Sequence, residues 1–129
     1  MEENETGRII VDAAIAVHRE LGPGLLESVY EAVLAQELRD RGLKVERQVP
    51  IPIVWRDLKF DEGFRADLIV EGKVVAELKS VESVSKAHKK QILTYLKLSR
   101  LKLGFLLNFG AAIMKEGITR TVNGLDETR

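Results

Sequence analysis

Residues 64–81 read F-R-A-D-L-I-V-E-G-K-V-V-A-E-L-K-S-V. Two runs of β-branched residues flank Glu71-Gly72, the pattern of an antiparallel hairpin spanning residues 63–81. Asp67, Glu77 and Lys79 interrupt those runs on strands that should lie inside a sheet. Burying charge is costly unless it is paired or coordinated, so three such groups in one hairpin need a reason. Two carboxylates at matched heights with an ammonium two residues on make a hard-cation site with a cationic neighbour, a set suited to hydrolysing a phosphodiester.

Strand geometry makes this testable. Glu77 and Lys79 are two apart and so share a face. Asp67 joins that face only if it stands opposite Glu77, which requires an odd-numbered loop, Glu71-Gly72-Lys73, or a bulge. A two-residue Glu71-Gly72 turn would instead set Asp67 opposite Ala76 and send Glu77 to the other side. The competing reading is an edge hairpin whose charges are solvated or form cross-strand ion pairs.

The whole chain narrows the chemistry further. At 129 residues it is read as one domain with a core about residues 8–124, large enough to fold without staples. It has no cysteine, so a metal must be held by oxygen or histidine. An acidic start and the lack of a long apolar run lead to the expectation of a soluble, cytoplasmic protein that does not engage a membrane. The net charge is zero, yet residues 1–62 hold 13 acids against 8 bases, while Ser83 to Lys115 holds seven bases and no acid. Such one-sided charge can attract a polyanion locally, although a solvated helix face is the alternative.

Periodicity predicts helices from about Thr6 to Leu21 and from about Leu25 to Arg41, with Leu26, Val29, Val33, Leu34 and Leu38 as the second helix's apolar side. Gly22-Pro23-Gly24 separates the two, and Gly42 ends the second. Leu43 to Lys59 reads as one or two strands, with Pro50 and Pro52 implying an edge or a bulge. After the hairpin, Ser83 or Ser85 is the expected cap of a third helix reaching about Arg100. Short strands follow at Lys102–Phe109 and Ala112–Val122. The order α, α, β, β, β, α, β, β implies a mixed sheet with packed helices.

Several other side chains invite functional readings. Glu27 lies in the first turn of the second helix, where the helix dipole favours an acid anyway, but it can also lean towards the hairpin as a further carboxylate. Tyr30 and Glu31 share its side of the helix. Tyr30 can hold Glu27 by packing, reach a phosphate with its hydroxyl, or be a half-buried aromatic with a wet tip. Gln91 and Tyr95 form an i, i+4 pair on the basic helix. They can touch a nucleic-acid backbone, Gln91 can order a water, or Tyr95 can simply join the core. His18 reads as a helix surface residue, and His88 among lysines as a possible phosphate contact. Neither histidine has a second ligand at i+3 or i+4, which argues against a histidine metal site. Trp55 is either core or a stacking platform.

Gly24-Leu25-Leu26-Glu27-Ser28-Val29-Tyr30 spells G-x-x-E-x-x-Y. Followed in order by Asp67, Glu77-x-Lys79 and Gln91-x-x-x-Tyr95, it makes the chain resemble the GxxExxY protein family of the PD-(D/E)XK nuclease superfamily, over roughly Arg8 to Gly124. The resemblance implies an α+β (α/β) fold with a restriction-endonuclease-like αβββαβ core and a mixed central sheet flanked by helices. One helix is added at the N-terminus and one strand at the C-terminus. It implies metal ligation by Asp67, Glu77, the Leu78 backbone carbonyl and the acidic Glu27. Lys79 would position the attacking water and stabilise negative charge. Gln91 and Tyr95 resemble the Q-x-x-x-Y pair of the exonuclease branch. Ala66 stands where that superfamily often has proline.

The expectation is a Mg²⁺- or Mn²⁺-dependent nuclease acting on nucleic acid, DNA ahead of RNA. Lys86, Lys89 and Lys90, with Tyr30, Gln91 and Tyr95, would position the substrate. Two alternatives stand beside it: a nuclease-fold binding module for nucleic acid or protein without catalysis, and a homodimeric, structure-selective endonuclease of the junction type.

Overall fold

The computed structural model describes residues 1–127. Helix α1 (Glu3–Leu21) and helix α2 (Glu27–Asp40) lead into strands β1 (Val45–Trp55), β2 (Leu58–Val70) and β3 (Val74–Lys79). Helix α3 (Lys86–Ser99), strand β4 (Leu103–Asn108), a 3₁₀ turn (Met114–Gly117) and strand β5 (Ile118–Val122) complete the chain. The strands lie side by side in sequence order; β3 and β4 pair in parallel and the other neighbours antiparallel. This is the αβββαβ core with the extra first helix and last strand that the resemblance implied. Among the described residues no helix is long and apolar enough to cross a membrane.

Each face of the sheet has its own core. Ile10, Val17, Leu34 and Leu38 from α1 and α2 pack with Leu68, Val70, Val74, Ala76 and Leu78 on one side. Ile92 and Leu96 from α3 pack with Ile51, Ala66, Ile69, Val75 and Leu106 on the other. With both faces covered, the central strands β3 and β4 are buried along almost their whole length, which is why their sequences are nearly unbroken apolar runs. A charge on β3 therefore has few routes to water.

Three expectations need revision. The carboxylate hairpin does not begin at residue 63: β1 ends at Trp55, and β2 starts at Leu58, within the 43–59 range read as one or two strands, and continues unbroken to Val70. The segment from Ala112 is largely a turn, and only Ile118–Val122 forms a strand. On α2, Leu26, Val29 and Val33 are exposed, and the buried side is Tyr30, Glu31, Leu34, Ala35 and Leu38. Periodicity alone could not choose between two apolar sides of one helix. The prolines fit as expected, since β1 is an edge strand and its ladder slips between Ile51 and Ile53, at Pro52.

Side chains two apart on a regular strand share a face. Here they do not: Leu68 belongs to the α1/α2 core but Ala66 to the α3 core. The same exchange separates Val45 from Ile51 on β1. Between them, at the facing positions Gln48 and Asp67, the ladder is interrupted and Gln48 takes a left-handed φ of 51°. The pleat thus reverses on both strands at the height of Asp67.

Candidate active site

The hairpin loop is three residues long, with Val70 facing Val74, and the register Leu68↔Ala76 brings Asp67 level with Glu77. The ladder between β2 and β3 stops there, and side chains replace it. The Asp67 N–H donates to Glu77 Oε1 at 3.2 Å, and the Leu78 N–H donates to Asp67 Oδ2 at 2.9 Å. The two strands part at this point, each carboxylate capping backbone of the other strand.

Glu77 is only 8% exposed. Burial, reinforced by the neighbouring Asp67 charge, pushes its carboxyl up to about 9, and the Lys79 ammonium opposes that shift. A carboxyl of this kind holds its proton at neutral pH unless a cation arrives. Burial also raises the Tyr95 hydroxyl, with smaller contributions from Glu77 and Asp67, which places this half-buried residue within electrostatic reach of the pair. Its ring stacks on Phe64 with centroids 3.9 Å apart.

On the other side of Asp67 lies a cleft of about 380 Å³ lined by Glu27, Ser28, Glu31, Gln48, Asp67 and Leu78. Glu27, the first residue of α2, is exposed at its rim. Glu31 is buried and accepts from Arg47 Nη2 at 3.0 Å and from Gln48 Nε2 at 2.6 Å. Gln48 Nε2 also lies 3.3 Å from Asp67 Oδ1. One amide therefore links α2 to the hairpin carboxylate. Sequence reading assigned no role to Arg47, Gln48 or Glu31; the contact spans 16 to 19 residues and leaves no local signal.

The G-x-x-E-x-x-Y motif now has a physical account. Gly24 has φ 103°, a conformation a side chain would strain. Tyr30 is fully buried, stacked on Phe109, and its hydroxyl donates to the Gly22 carbonyl at 2.5 Å while accepting the Leu25 N–H at 3.1 Å. Ser80, just after Lys79, donates to the Leu25 carbonyl at 2.7 Å. Gly24 turns the chain, Tyr30 locks the turn, and Glu27 is delivered to the cleft. The reading of Tyr30 as a phosphate contact is thereby corrected, because its hydroxyl is already committed inside the fold.

Lys86, Lys89, Lys90 and Gln91 are exposed along the first turns of α3. Because α3 follows β3 and returns to a strand parallel to it, its N-terminus lies at the Lys79 end of the sheet. Among the described residues none of these side chains forms an ion pair with the carboxylates. Ser85, rather than Ser83, caps α3, and His88 completes the capping box, so His88 has a structural task. His18 is buried, with Nε2 2.8 Å from the Ala111 carbonyl oxygen, and is not a surface residue. Trp55 is 61% exposed at the tip of the β1–β2 hairpin and is not core.

Among the described residues no group of three or more histidine, aspartate or glutamate side chains converges closely enough to form a metal cage. The donors that are present still fit a small hard cation. Mg²⁺ is commonly held by one or two carboxylates, with water and substrate phosphate completing its shell. Asp67 and Glu77 are in contact, neither forms an ion pair with a protein cation among the described residues, and Glu77 is costly to ionise without one.

A mixed sheet of this topology, with an aspartate on its second strand and Glu-x-Lys on its third, defines a restriction-endonuclease-like domain. A family model of the PD-(D/E)XK nuclease superfamily matches residues 4–121, and the chain belongs to that superfamily. Compared with curated proteins and with solved structures, the chain has no match.

Proposed function

We propose that the protein is a divalent-metal-dependent nuclease that hydrolyses phosphodiester bonds, in DNA ahead of RNA. The observation that carries this is the Asp67–Glu77 carboxylate pair at the parting of β2 and β3, with Glu77 buried beside Lys79. Asp67 and Glu77 would hold Mg²⁺ or Mn²⁺, with Glu27 and the Leu78 carbonyl as further ligands. The ion supplies charge stabilisation at the phosphoryl oxygens and eases deprotonation of water. Lys79, on the face of Glu77, orients the nucleophilic water and offsets negative charge that develops on the phosphate. Gln48 restrains Asp67 from the cleft side. Lys86, Lys89 and Lys90 hold the substrate backbone by charge, which makes binding salt-dependent and largely indifferent to sequence. Tyr95, half-buried beside the pair, and Gln91 one helical turn away extend the same surface.

The test is cleavage of labelled single-stranded, duplex and branched DNA and of RNA, with Mg²⁺ or Mn²⁺, by the wild type and Glu77→Ala purified in parallel. Cleavage confined to the wild type supports the proposal. Equal cleavage by both refutes the assignment of Glu77. Absence of cleavage together with absence of a metal-induced rise in melting temperature favours a nuclease fold used for binding alone.

A further inference from the structure

The β1–β2 hairpin outruns the rest of the sheet. Lys79 ends β3 at the level of Arg65 on β2, yet β2 begins at Leu58 and the turn lies at Arg56-Asp57. At a strand rise of about 3.4 Å per residue, the tip stands roughly 20 Å beyond the end of β3. It projects past the end that carries Glu77 and Lys79, which is also the end where α3 begins.

This arm is apolar where it should be wet. Ile53 faces Phe60 and Trp55 faces Leu58, so these four share one side of the ribbon. Trp55 is 61%, Leu58 58% and Phe60 50% exposed. Arg56, held at φ 53° where glycine would be unstrained, sets its guanidinium 5.1 Å from the Trp55 ring centroid. At the base of the arm, Ile53 fills the space a Gly63 Cβ would need, 2.0 Å away, so the bulge that aims the arm depends on that glycine.

A second copy of the chain is a poor occupant for this face. Trp55, Leu58 and Phe60 together offer on the order of 350 Å². A stable protein interface takes roughly 800 Å² from each partner. Charge points elsewhere: Lys86, Lys89 and Lys90 lie at the same end of the sheet with no ion pair among the described residues, and they suit a polyanion. Along the arm Arg56, Lys59 and Arg65 stand against Asp57, Asp61 and Glu62, with Glu62 paired to Arg65, so the arm adds little net charge and can add stacking.

We propose that the β1–β2 arm is a nucleic-acid contact element in which Trp55, with Phe60 beside it, stacks on unpaired bases, so that the preferred substrate contains single-stranded segments. This rests on the nuclease reading of the Asp67–Glu77 site for its substrate class, but not for its test. Stacking needs an open base face, which a continuous duplex hides and a single strand offers.

Trp55 is the sole tryptophan, so its fluorescence reports on the arm alone. The full chain, in EDTA to suppress turnover, is titrated with a single-stranded oligothymidylate and with a duplex of equal length. Saturable quenching by the single strand and little by the duplex is expected. Trp55→Ala should weaken single-strand binding, read by anisotropy of a labelled oligonucleotide, about tenfold, within the range of one lost stacking contact. Trp55→Phe should retain most of the affinity, and Phe60→Ala should give a smaller loss. Because these side chains are exposed, the variants should fold normally. Single-strand binding with no change in fluorescence and no loss in Trp55→Ala overturns the proposal. So does a dimer in sedimentation that Trp55→Ala dissociates, which would give the face to a second copy. Quenching by single strands in a protein that cleaves nothing upholds the arm and removes the nuclease reading, so the two fail separately.

Discussion

Replacing Glu77 by glutamine tests the electrostatics of the site without assuming catalysis. The amide keeps the shape and can still accept the Asp67 N–H, but it cannot ionise. In the wild type the folded carboxyl is raised from 4.5 to about 9, chiefly by burial. Its contribution to stability is therefore fully present below a pH of about 4.5, declines as pH rises, and is gone above about 9. At about 1.36 kcal/mol per unit, the window from pH 6 to pH 9 would cost close to 4 kcal/mol. The parted strands can relax and admit water as Glu77 ionises, so roughly 2 kcal/mol is the better expectation. For a domain of this size that is on the order of 8 °C in Tm. Melting curves of both proteins in EDTA across that window should diverge by this amount, the wild type falling more steeply. Added Mn²⁺ should then raise the wild-type Tm most at high pH, where less proton must be displaced, and the Glu77→Gln Tm far less. Parallel Tm–pH curves for the two proteins would refute the reasoning, since they would mean that Glu77 ionises as readily in the fold as out of it.

Three more expectations follow from particular contacts. Tyr30→Phe strands the Leu25 N–H and the Gly22 carbonyl, so it should cost about 1–3 kcal/mol in denaturant unfolding and lower cleavage by loosening Glu27. Gln48→Gly relieves a left-handed backbone but cuts the amide link between Glu31 and Asp67; Tm should change little while the Mn²⁺ concentration needed for half-maximal Tm shift rises several-fold. Unchanged metal demand would remove Gln48 from the site. Exchanging Lys86, Lys89 and Lys90 for alanine together should flatten the dependence of log binding constant on log salt by about 2–3, measured by anisotropy with a labelled oligonucleotide.

How much of this was legible before folding differs from residue to residue. The spacing of Asp67, Glu77 and Lys79 required a three-residue loop, because a strand alternates faces, and the loop is there. The element order was equally local, while the choice of Ser85 over Ser83 as cap, and the finding that the proline-bearing strand has both an edge position and a bulge, came only with the fold. The burial of Tyr30 was not legible, since its partners Gly22 and Leu25 are backbone groups that any side chain might have met. Nor was the reversal of the pleat at Gln48 and Asp67, which depends on two helices covering opposite faces of one sheet.

The sequence by itself determined which residues carry charge among apolar strands, how many lie between them, and hence which of them meet across a turn. Those are matters of short-range geometry, with few conformations to choose from. Only the tertiary structure decided that Glu77 is sealed from water, that Gln48 bridges Glu31 to Asp67, and that the Trp55 arm stands clear of the core at the same end as the carboxylates. These depend on desolvation and on contacts between segments far apart in the chain, which packing sets and local spacing does not encode.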